Sequence, residues 1–79
     1  MASHIINTPA TLGEAVRAQR KHLGLTQPQL ALAAGVGVRF IVDLEAGKPT
    51  VRLQSVMNVI DSLGGSLQLA GFESSLAQE

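Results

Sequence analysis

The chain has no cysteine, tryptophan or tyrosine, and only two phenylalanines. Without a thiol there is no disulfide framework, no thiolate nucleophile and no Cys-based zinc site. Stability must then come from aliphatic packing, helped by association with a second copy. Charge is scarce too, at 15% of residues, and the mean hydropathy of +0.25 is high for a 79-residue chain. No apolar run approaches the ~18 residues needed to cross a bilayer, and the start lacks the basic, apolar and small-residue order of a secretory signal. A cytoplasmic protein without membrane contact is expected. His4 and His22 lack ligand spacing, no serine sits in a nucleophile elbow, and the glycines do not form a phosphate-binding loop. No enzyme activity, metal or cofactor is expected.

What is present is 46% hydrophobic content, enough for one helical core and one domain over residues 1–79. The formal net charge is zero, but its distribution is uneven. Arg17, Arg20, Lys21, Arg39, Lys48 and Arg52 are opposed within their own stretch only by Asp43 and Glu45, giving it a net +4. Glu14, Asp61, Glu73 and Glu79 compensate outside it. A neutral chain arranged this way can still present a basic face to a polyanion.

Residues 1–7 show no helical period. Thr8 before Pro9 is a favourable helix opening, with Thr11 and Glu14 as a rival capping box one turn later. Leu12, Val16, Gln19 and Leu23 then follow helical spacing to Gly24. Thr26 and Gln29 form a second capping box with Pro28 in the first turn, and the expected buried stripe of helix 2 is Leu30, Ala33 and Ala34. Gly35 and Val36 turn the chain into a third helix from Gly37 to Ala46, closed by Gly47. Two helices separated by a glycine-containing turn of three or four residues make a helix-turn-helix. After the Lys48-Pro49-Thr50 loop, Leu53, Val56, Met57, Ile60 and Leu63 mark helix 4. Residues 66–72 alternate weakly, Leu67 and Leu69 against Gln68, which reads as a short strand pairing with its twofold mate in a dimer. A disordered tail is the alternative there, and residues 73–79 are expected to be a flexible end. The fold class is all-α with one dimerising strand.

Projected at ~100° per residue, helix 3 places Ile41 at the centre of its inward face, flanked by Leu44, Gly37, Val38 and Glu45. Arg39, Asp43 and Ala46 lie opposite. So sparse an outer face suits entry into the major groove, where arginine can donate twice to guanine, aspartate can accept from cytosine, and Val42 can touch a thymine methyl. The alternative is a solvated Arg39 and Asp43 pair four residues apart. Glu45, on the inward side, requires a partner, and Arg17 and Arg20 are both candidates. Thr26 and Gln27 at the start of helix 2, and Lys48, Thr50 and Arg52 beyond helix 3, are candidate phosphate contacts, with plain loop solvation as the alternative.

Leu25-Thr26-Gln27, Leu30-Ala31, Ala34-Gly35-Val36, Ile41, Leu44-Glu45 and Gly47-Lys48-Pro49 resemble the signature of the phage-repressor-like helix-turn-helix family of Cro/C1 (XRE) type, over residues 9–64. The Thr8-Pro9 opening and the ending through Leu69 are most similar to HipB-like antitoxins. The resemblance implies base contacts at Val38, Arg39 and Asp43, a phosphate contact at Gln27, and a structural ion pair in which Arg20 is the partner of Glu45. Gly37, Val38 and Val42 depart from the polar residues common there, which implies that DNA shape supplies part of any specificity. It further implies a homodimeric repressor on double-stranded palindromic operator DNA, its recognition helices ~34 Å apart. By the same likeness it is the antitoxin partner of a HipA-like kinase toxin and controls its own operon. The alternatives are a free-standing phage-type repressor and a protein-interaction module that does not bind DNA.

Overall fold

The computed structural model describes residues 3–72. Four helices follow in order: α1 Pro9–His22, α2 Gln27–Ala34, α3 Val38–Glu45 and α4 Leu53–Ser62. Local chemistry accounts for their ends. At α1 the Thr8 hydroxyl accepts from the Thr11 amide at 3.1 Å while the Thr11 hydroxyl accepts from the Thr8 amide at 3.1 Å. Thr11 is therefore the third residue of the box that opens at Thr8, and the later start through Glu14 is not used. At α2 the Thr26 hydroxyl accepts from the Gln29 amide, and Gln29 Oε1 accepts from the Thr26 amide at 2.8 Å. At the other ends the chain reverses through left-handed glycine. After Gly35, at φ +70°, the Val36 amide donates back to Ala31 O at 3.0 Å, closing α2 in a three-residue turn before α3.

α3 packs on both α1 and α2, and α2 also packs on α4. Val16, Leu30, Ala31, Ala34, Ile41, Leu44, Val56, Val59 and Leu63 form the buried cluster, with Leu12, Val36, Phe40, Val51 and Ile60 packed against it. The closest approach is at Gly13, where a Cβ would lie 2.4 Å from Leu44 O and 2.7 Å from Glu45 O. Absence of a side chain on α1 thus lets the last turn of α3 press directly onto it.

Three expectations change. In α2 the buried alanine beside Leu30 and Ala34 is Ala31, and Ala33 is exposed. A helix with alanine or leucine on every side has no polar face to mark its orientation. In α4, Leu53 and Met57 stand exposed while Val56, Val59 and Leu63 fill the core. The apolar spacing therefore covered two faces of which one chain buries only one. Residues 65–70 are irregular and no strand occurs among the described residues, because a lone edge finds no backbone partner within one chain. The expected flexible end, residues 73–79, lies outside the described residues.

Candidate nucleic-acid interface

The scaffold of the site is a buried ion pair. Arg20 Nε donates to Glu45 Oε2 at 2.6 Å and Nη2 to Glu45 Oε1 at 3.0 Å, with the side chains only 10% and 4% exposed. Nη1 donates to Leu25 O at 2.8 Å, and Gln27 Nε2 gives the Glu45 carboxylate a third donor, to Oε1 at 3.1 Å. The carboxylate holds the guanidinium pKa above its ordinary value, chiefly through their hydrogen bonds and against the cost of burial. The carboxylate at the end of α3 therefore ties together α1 and the start of α2, and through Arg20 the turn between them. Such a bidentate fork fixes orientation as well as distance.

Across α3 lies the open edge. Arg39 Nε is 3.2 Å from Asp43 Oδ1, and Lys48 Nζ is 3.6 Å from Asp43 Oδ2. The arginine side chain is 84% exposed, Lys48 50% and Asp43 22%. Arg39 and Asp43 thus do form an i,i+4 pair, and it leaves the four Nη protons of the guanidinium for other acceptors. Val42 is half-buried and Val38 exposed. Gly37 and Val38, inward in the helical projection, are both exposed in the fold. The fully buried stripe begins at Ile41, and in the first turn of α3 only Phe40 packs against the core.

The candidate phosphate contacts divide. Lys48, Thr50 and Arg52 lie exposed on the segment joining α3 to α4. At the start of α2, Thr26 and Gln29 amides are taken by the capping box and Pro28 has no amide proton, so the Gln27 amide is the one left to an anion. The Gln27 side chain is turned toward Glu45. Leu67 and Leu69 are exposed, and Gln68 reaches only Ser66 Oγ at 3.5 Å. Sequence reasoning passed over Gly13, though a glycine inside a helical pattern is a signal of close packing. It also missed Lys48 as a second partner of Asp43, because that contact depends on the turn after α3.

A helix-turn-helix family model matches residues 16–69, from α1 through the segment after α4. The chain belongs to the helix-turn-helix family of DNA-binding transcriptional regulators. The XRE-type resemblance read from the sequence therefore holds. An HTH-type transcriptional regulator of Sinorhizobium fredii, y4mF, is 53% identical over 64 residues, covering 81% of this chain and 84% of the relative. Among solved structures, a chain of a HipB-O4 20mer complex is 25% identical with a TM-score of 0.81, covering 90% of this chain and 100% of its own. A chain of a HipA-HipB-O2-O3 complex is 25% identical with a TM-score of 0.80 and the same coverage. Within the matched residues, α2, the three-residue turn after it and α3 have the helix-turn-helix arrangement. Among the described residues no helix is long and apolar enough to cross a membrane.

Proposed function

We propose that this chain is a cytoplasmic, single-domain homodimeric repressor that reads a palindromic operator with α3. We propose further that it is a type II antitoxin, which neutralises a HipA-like kinase toxin and represses its own operon. The observation that carries the DNA-reading half is the asymmetry of α3. One edge is pinned through Glu45, while the other holds Arg39 almost fully in solvent. Arg39, Val38 and Val42 face the bases in this reading with Asp43 beside Arg39, and Thr26, Gln27, Lys48, Thr50 and Arg52 flank them toward phosphate. Because Arg20 and Glu45 neutralise each other inside, five exposed cations between Arg17 and Arg52 are opposed by Asp43 alone.

Support for the dimer comes from the exposed apolar groups Leu53, Met57, Leu67, Leu69 and Phe72 near the end of the described chain. Residues 66–72 become a strand when paired with the same segment of a second copy. Likeness to HipB, including the complex that also contains HipA, supports the antitoxin half. Affinity purification from the native host followed by mass spectrometry tests that half. A co-purifying HipA-like kinase is expected. Operator binding without such a partner leaves a free-standing repressor, and a chain whose DNA affinity does not fall steeply with salt is an interaction module instead.

A further inference from the structure

Asp43 sits between two cations at the edge of α3. Its Oδ1 faces Arg39 Nε at 3.2 Å, its Oδ2 faces Lys48 Nζ at 3.6 Å, and both cations are far more exposed than the carboxylate between them. Its backbone takes part as well, since Asp43 O accepts from the Lys48 amide at 3.0 Å. The turn between them is held in place, because Gly47 at φ +84° lies so close to α1 that a Cβ would come within 3.0 Å of Ala10 Cα. Lys48 is therefore set at a defined position relative to Asp43 by main chain, and Arg39 by helical spacing.

A carboxylate that read a cytosine amino group directly would need an open oxygen facing the groove. Here each oxygen already faces a cation, and the carboxylate is set back behind them, at 22% exposure against 84% for Arg39 and 50% for Lys48. A bare carboxylate close to phosphates would also repel DNA, whereas Asp43 with Arg39 and Lys48 carries a net +1. Resting on the DNA-reading role proposed above, we infer that Asp43 is a positioning residue rather than a base contact. It holds the Arg39 guanidinium by Nε, so that both Nη groups point their protons to a guanine edge, and it fixes Lys48 for the adjoining phosphate. Base reading by α3 and backbone grip by the following loop are coupled through one side chain.

A double-mutant cycle tests this. Wild type, Asp43→Asn, Arg39→Ala and the double variant are measured against a duplex selected by the wild-type chain from a randomised pool, and against random duplex. Asp43→Ser is run in parallel, so that a folding defect in one variant leaves the cycle intact. With Asp43 as positioner, Asp43→Asn lowers the preference for the selected duplex by roughly tenfold, while removing the like charge tightens binding to random duplex. In the Arg39→Ala background it lowers preference no further. Equal loss of preference in both backgrounds overturns the inference and makes Asp43 a base reader. A wild-type chain without any preference overturns the DNA-reading role itself, and with it the inference, and is recognised before any variant is compared.

Discussion

Helix α3 carries two carboxylates that each pair with an arginine, Glu45 with Arg20 of α1 on one edge and Asp43 with Arg39 on the other. Arg20 and Glu45 meet at 2.6 and 3.0 Å with side chains almost wholly out of water, whereas Arg39 and Asp43 meet at 3.2 Å with the guanidinium in solvent. The chemistry is the same and the consequences are opposite. Inside, each charge depends on its partner because water cannot replace it, so losing one leaves an uncompensated ion. Outside, water competes throughout, and the pair contributes ~0.3 to 0.5 kcal/mol to the helix. The pair that contributes least to folding is the one that leaves its guanidinium Nη groups open to a further acceptor.

Breaking the buried pair has the largest effect. Glu45→Ala or Arg20→Ala is expected to lower unfolding free energy by ~3 to 5 kcal/mol in denaturant melts, and the double replacement Arg20→Met with Glu45→Leu to recover most of that loss. A single variant that loses less than ~1 kcal/mol contradicts the scaffold role. Gly13→Ala comes next. Its Cβ would meet the backbone oxygens of Leu44 and Glu45 at 2.4 and 2.7 Å, which cannot swing away, so ~1 to 3 kcal/mol of stability is lost as α3 is pushed from α1. On the proposed reading, DNA affinity falls with it, since α3 moves. Smaller again is Leu67→Ser with Leu69→Ser, which leaves the helical core intact and weakens self-association roughly tenfold or more in sedimentation. An unchanged dimer removes residues 66–72 from the interface.

Helix ends were legible because their chemistry is local. Thr8-Pro9 and Thr26-Pro28-Gln29 carry their capping groups within four residues, and Gly35 announces the turn that makes α2 and α3 a helix-turn-helix. Orientation was less legible where composition is uniform. Ala31 and Ala33 are indistinguishable until α3 and α4 pack on one side of α2, and the Leu53 and Met57 side of α4 reads as core because apolar spacing alone does not say which of two apolar faces the chain buries. At the site, the i,i+4 spacing of Arg39 and Asp43 gave half of the exposed arrangement. Lys48 completes it across the Gly47 turn, whose geometry no helical wheel contains.

In the function proposed above, α3 is structural on the Glu45 edge and reads DNA on the Arg39 edge. Arg39→Ala tests it most directly, measured for thermal stability and for affinity to selected and random duplex in the same preparation. Stability is expected to change by less than ~0.5 kcal/mol, while affinity for the selected duplex falls by ~1 to 3 kcal/mol and affinity for random duplex falls much less. Equal losses on both duplexes, or a loss of stability comparable to that of Glu45→Ala, would contradict the division of the helix into these two edges.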